Sequence, residues 1–200
     1  GLINRFYAQG DSHVTISGGQ IGQLLPDDNA ILAISGGRIL LESFGSASVD
    51  IFGGTFLYGS EGRGNSTVTV HDGEFLSAFR IANDATGEIR GGVFEYGPQV
   101  MDFGVLSIFG GDIGPGIFVS LGQTVAAPRL IIYGSGFNHP YGDLSATSGT
   151  LTGVLADGTP LNTTFGRQVG GTITLAVPEP VSGMLVALGI LLVPLLRMGR

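Results

Sequence analysis

The strongest order in this chain lies in where its apolar residues fall. A short alternation of apolar and polar positions runs into a glycine pair and resumes beyond it with a large apolar residue. The copies are Val14 to Ile21, Leu32 to Ile39, Val49 to Phe56, Val68 to Phe75, Gly87 to Phe94, Leu106 to Ile113 and Leu130 to Phe137, seven in all. Alternation at period two marks strands with one buried face. The paired glycines supply a sharp corner at φ values other residues resist.

The first corner position falls at Gly18, Gly36, Gly53, Asp72, Gly91, Gly110 and Gly134, so the steps are 18, 17, 19, 19, 19 and 24. Hairpins place turn signals every ~8 to 12 residues, whereas one coil of a parallel β-helix takes roughly 18 to 25. The spacing predicts an all-β fold, a right-handed parallel β-helix of about seven rungs over residues 1–140, roughly 30 Å long. The long last step predicts a loop near Leu121 to Pro128.

In such a coil, equivalent positions stack into columns. Ile21, Ile39, Phe56, Phe75, Phe94, Ile113 and Phe137 form an inward column and read as core. The outward column before the corner reads Ser17, Ser35, Phe52, His71, Arg90, Phe109 and Tyr133. Its members Phe52, His71, Arg90, Phe109 and Tyr133 make a candidate glycan strip, since aromatic faces beside hydrogen-bonding groups suit sugars. The competing reading is that these rings pack under neighbouring loops.

Beyond Tyr141 the repeat stops and the texture turns to Ser, Thr and Gly. Residues 141–176 are expected to be a β cap and spacer, with strands at Leu151 to Leu155, Thr159 to Phe165 and Gly171 to Ala176. Such a sheet would cover the open end of the solenoid, whose free edges otherwise aggregate.

Composition narrows the function. The 200 residues include 36 Gly, 43% are hydrophobic and 12% are charged, which argues against disorder and against a helical bundle. The net charge of −7 makes the surface repel nucleic acid and argues against a phosphate-tracking stripe. Without Cys there is no disulfide framework, thiolate zinc site or Cys nucleophile. The chain opens on Gly1 and enters a strand pattern at once, as expected of a fragment or processed form whose signal peptide lies upstream.

Catalytic chemistry finds little support. Glu74 and Asp112 stand two rungs apart in one column, as do Asp50 and Glu88 in another, roughly 9.6 Å by strand spacing and near the upper end for an inverting glycosidase pair. Coincidence accounts for both. No Asp recurs as a calcium-binding repeat requires, and His13, His71 and His139 occupy unrelated repeat positions. Asn65-Ser66-Thr67 and Asn162-Thr163-Thr164 match the N-glycosylation pattern, a common one. No catalytic residue, metal or cofactor is assigned, and the alternative of a polysaccharide lyase or glycosidase rests on the fold alone.

Residues 177–200 read differently. Val177-Pro178-Glu179-Pro180 leads into an uncharged apolar run, Val181 to Leu196, followed by Arg197-Met198-Gly199-Arg200. As a transmembrane helix those residues span about 24 Å against a hydrocarbon core of ~30 Å. The basic end, Arg197 and Arg200, places the C-terminus in the cytoplasm and the repeats outside.

Pro178-Glu179-Pro180, the apolar segment and the basic end, in that order at the terminus, resemble the PEP-CTERM sorting signal of exported bacterial proteins. The stretch from Gly149 to Phe165 also looks like segments that precede such signals. The resemblance implies inner-membrane anchoring until an exosortase-like sorting enzyme cleaves near Pro-Glu-Pro. Release to the envelope or exterior then follows, often beside exopolysaccharide. Two departures stand out: the family usually carries a denser basic cluster, and Pro194 would kink the helix. The function expected is that of an exported cell-surface or matrix protein with a structural or adhesive role, or alternatively a glycan-binding module.

Overall fold

Each alternating segment forms one strand of a parallel ladder. The computed structural model describes residues 1–121 and 127–178, which make twenty strands and no helix. The architecture is an all-β solenoid of about six turns. One regular coil contains Thr86–Ile89, Val93–Phe94 and Gln99–Met101, and the next repeats it with Val105–Ile108, Asp112–Ile113 and Ile117–Ser120. Three faces result: a long one before the glycine corner, a short one after it, and a third that leads back.

The long face is in register from coil to coil. Val49 lies opposite Val68, Val68 opposite Gly87, Gly87 opposite Leu106, and Leu106 opposite Leu130. These positions and those two residues later point inward, so Val49, Ile51, Val68, Val70, Ile89, Leu106, Ile108, Leu130 and Ile132 are buried. Gly87 interrupts the apolar column for a steric reason. A Cβ there would lie 2.7 Å from Ile81 Cγ1 and 2.8 Å from Leu106 Cδ1.

Past the corner, Ile21, Ile39, Phe56, Phe75, Phe94 and Ile113 form the inward column and are buried. Phe75 stacks on Phe56 at 4.5 Å and on Phe94 at 4.6 Å, the rings nearly parallel, and Phe79 meets Phe75 edge-on at 5.4 Å. The ring spacing matches the separation of adjacent strands, ~4.8 Å. Identical residues on successive rungs therefore stack face to face.

A second corner, between the third face and the next long strand, repeats as regularly. Gly10, Asp28, Gly45, Gly64, Asn83 and Asp102 all have φ between 55 and 65°. Two residues later stand Ser12, Ala30, Ala47, Ser66, Ala85 and Gly104. Ala47, Ser66 and Ala85 each return an N–H to the carbonyl three residues back, at 3.3 Å. Small side chains let this turn lie against the core: Ala30, Ala47, Ser66 and Ala85 are fully buried.

The seventh copy does not complete a rung, which corrects the expected count of about seven. Leu130 and Ile132 keep register, but Gly134 and Ser135 pair antiparallel with Leu155 and Val154. Phe137 thus leaves the inward column, lies half-buried, and meets Tyr141 edge-on at 5.9 Å. Ser135 separates Gly134 from Gly136, so the second corner position lacks the positive-φ glycine that turns the other six corners.

Residues 142–176 continue the ladders. Thr172–Ala176 adds in parallel to Arg129–Ser135 on the long face, and Gly142–Asp143 closes antiparallel on its far side. Pro160–Arg167 pairs in parallel with Ile117–Ser120 and antiparallel with Ser148–Leu155. Leu144, Leu151, Leu161, Phe165, Ile173 and Leu175 join the single core. The segment expected as a transmembrane helix, Val181 to Leu196, lies outside the described residues, and within them no helix is long and apolar enough to cross a membrane.

Candidate binding face

Every second residue of the long face points outward, so its strands set side chains in columns one rung apart. In the column before the glycine corner, Phe52 and His71 stack at 4.5 Å with planes 5° apart. Further along, Phe109 and Tyr133 stack at 4.3 Å and 7°, and the Arg90 guanidinium carbon lies 5.3 Å from the Phe109 centroid. All five predicted strip residues therefore share one column. Phe52, His71 and Arg90 are exposed, whereas Phe109 and Tyr133 are half-buried, and the turn of the hairpin hydrogen-bonds their carbonyls through the N–H groups of Asp157 and Ala156.

This packing decides what the strip presents. Ring planes that stack along the solenoid axis turn their edges outward and cover each other's faces. Phe109 is taken by Arg90 on one side and Tyr133 on the other. Phe52 differs, being 51% exposed and stacked by His71 alone.

The adjacent outward column sets carboxylates beside the strip. Asp50 Oδ1 lies 3.5 Å from His71 Nε2, and Glu88 Oε2 accepts from Arg90 at 2.7 Å. Asp50 and Glu88, the pair considered for acid–base work, thus each face a cationic or ionisable partner. Glu74 and Asp112 flank Val93 on the short face, with all three exposed. Thr55 Oγ1 donates to Glu74 at 3.4 Å. No cleft separates these carboxylates from bulk water. The cavity of about 340 Å³ at the N-terminal end, lined by Phe6, Val14, Ile16 and Ile21 among others, contains no carboxylate.

The third face carries a polar column that the sequence reading did not pick out. Glu42, Glu61, Arg80, Gln99 and Phe118 succeed one another on adjacent rungs. Gln23 donates to Glu42 at 3.0 Å, Arg80 to Gln99 at 3.0 Å, and Arg63 pairs with Glu61 at 2.8 Å. Hydrogen bonding to Glu61 raises the Arg63 pKa, partial burial opposes this, and the charges of Glu61, Glu42 and Asp102 add to it. Register alone brings these groups together, which is why spacing within one repeat does not reveal them.

His13, His71 and His139 lie apart, and no metal-holding group of three His, Cys, Asp or Glu occurs among the described residues. His139 Nε2 is 3.2 Å from the Thr150 carbonyl oxygen and its ring meets Phe165 edge-on, a structural arrangement. Asn65 and Asn162 are exposed. Of the predicted sorting motif, Pro178 is the last described residue; Glu179, Pro180 and the basic end Arg197 and Arg200 lie outside.

The fold and the face define an all-β solenoid with an outward column of four rings and one arginine. Comparison of the chain with protein-family models, curated proteins and solved structures finds no match.

Proposed function

We propose that this chain is an exported cell-surface or extracellular-matrix protein, a right-handed parallel β-helix with a structural and adhesive role. Right-handed coiling is the hand that parallel strands joined by crossovers strongly favour. The observation that carries the proposal is the solenoid's outer surface. Among the described residues its glycine corners are tight, Phe52, His71 and Arg90 of the long face are exposed, and Asp50, Glu61 and Glu88 are matched by neighbouring rungs or residues. Such a surface suits packing and contact more than turnover, which needs a water-excluding site.

The tail supplies the address. Its resemblance to the PEP-CTERM signal assigns Pro178, Glu179 and Pro180 to recognition by an exosortase-like enzyme, Val181 to Leu196 to the inner membrane, and Arg197 and Arg200 to the cytoplasmic side. Processing then leaves the solenoid in the envelope or outside, beside exopolysaccharide. The intact mass of the chain from its native host tests this. A species shortened near Pro180 in the envelope or medium is expected, and full-length chain confined to the cytosol overturns it.

The half-exposed Phe52 favours a second reading, in which the solenoid also binds glycan.

A further inference from the structure

The ring ladder of the long face stops at a residue whose outer side is open. His71 covers one face of Phe52 at 4.5 Å, yet Phe52 remains 51% exposed. One rung back, where the column would place another ring, stands Ser35, and one rung beyond that Ser17; both are exposed. Ser35 Oγ points away from Phe52, donating to the Ile16 carbonyl oxygen at 3.4 Å. A planar group standing on this shelf would continue the stack at the pitch already set by Phe52 and His71.

The rim is polar. The side chain of Asp50, two residues before Phe52, is 43% exposed, and the exposed Ser35 stands one rung back. We propose that this shelf is a subsite for one pyranose ring of a neutral polysaccharide. The C–H face of the sugar lies on Phe52, and its hydroxyls hydrogen-bond Ser35 and Asp50. An aromatic side chain would use the Phe52 face and leave the rim unsatisfied. A uronate would meet Asp50 and a chain of net charge −7. The proposal rests on the glycan-binding reading above and narrows it to one end of the strip.

The test is titration of the full chain in mild detergent with cellohexaose, maltohexaose and hexagalacturonate, followed by two-dimensional amide NMR. A neutral hexaose is expected to shift Ser35, Gly36, Phe52 and Gly53, with a Kd on the order of 1 mM for a single-ring contact. Phe52→Leu keeps the apolar bulk and removes the ring, and should weaken binding at least ~10-fold, the equivalent of one stacking contact. Ser35→Phe covers the open face of Phe52 and should abolish the sugar-induced shifts at Phe52 and Gly53 while raising Tm. Phe109→Leu, whose ring is covered on both sides, should leave binding unchanged.

The subsite is overturned if neither neutral hexaose shifts these amides, if only hexagalacturonate does, or if Phe52→Leu binds as the parent does. Envelope recovery of a chain that binds no sugar would sink the subsite and leave the surface assignment standing. A sugar-binding chain confined to the cytosol would do the reverse.

Discussion

The carboxylate of Asp157 is bound to the corner amide of Gly111, whose N–H donates to Oδ2 at 3.0 Å across 46 positions of sequence. Asp157 also accepts from the N–H and the hydroxyl of Thr159, at 2.8 and 2.9 Å, and its own N–H donates to the Phe109 carbonyl at 3.0 Å. The tip of the Ser148–Arg167 hairpin is thereby fixed to the last complete glycine corner. The hairpin and the coil it covers are expected to unfold together.

Replacing Asp157 by Ala removes the acceptor of three hydrogen bonds and leaves the amide of the buried Gly111 without this partner. A loss of about 2 kcal/mol is expected, in the range for hydrogen bonding to a charged group. Asp157→Asn keeps one acceptor oxygen and should recover part of it. Urea denaturation measures the loss, and hydrogen exchange at Gly111 should accelerate in the Ala variant. Unchanged protection there would show that the tip does not hold the corner.

The glycine-pair corners were legible because their backbone admits few residues: Gly19, Gly37, Gly54, Gly92 and Gly111 have φ from 91 to 115°. Even where Asp72 replaces the first glycine, Gly73 keeps a positive φ of 137°. The second corner escaped notice because Gly, Asp and Asn all tolerate φ near 60°, so the position recurs as a conformation and not as one letter. A search for Gly, Asp or Asn followed two residues later by Ser, Ala or Gly would have found it. The seventh copy misled because its apolar alternation continues through Ile132 while Ser135 breaks the glycine pair. Column membership of Phe52, His71, Arg90, Phe109 and Tyr133 followed from spacing. That the rings face one another depends on rotamers and rung separation, which a residue pattern does not contain.

The second corner offers a paired prediction. Asn83 adopts φ 57°, where only Gly avoids the Cβ penalty and Asn tolerates it through local hydrogen bonding. Asn83→Ala should cost about 1 kcal/mol, and Asn83→Gly should lie within roughly 0.5 kcal/mol of the parent. Gly64→Ala should be worse than either. Its new Cβ would lie 2.9 Å from the Gly45 carbonyl oxygen and 3.0 Å from the Gly45 nitrogen, both backbone. Thermal denaturation of the three variants ranks them, and equal Tm values would show that the left-handed column is not required.

The Phe stack is the densest part of the core. Phe75 is fully buried, with Phe56 and Phe94 on its two faces and Phe79 at its edge. Truncation to Ala opens a cavity between rigid rungs that strand hydrogen bonds prevent from closing. A cost of about 3 to 5 kcal/mol is expected, enough to threaten a domain of marginal stability. Phe75→Leu retains most of the volume and should cost less. A smaller loss in the Ala variant than in the Leu variant, by chemical denaturation, would contradict the stacked core.

Arg167 tests whether residues 141–176 are integral to the solenoid. Its Nε donates to the Ala146 carbonyl at 3.0 Å, Nη2 to Ser145 at 2.9 Å and Nη1 to Gly171 at 3.2 Å. One planar fork therefore joins the segment entering the hairpin to the segment leaving it for the final long-face strand. Lysine can donate three hydrogens, but its single nitrogen does not reach three spread carbonyls in one plane. Arg167→Lys should then cost about as much as Arg167→Met, roughly 2 kcal/mol in each case. Because Thr172–Ala176 pairs with Arg129–Ser135, the loss should appear as faster exchange at Leu130 and Ile132 as well as in the hairpin. Exchange confined to the hairpin would mean that the last strands fold as a separate cap.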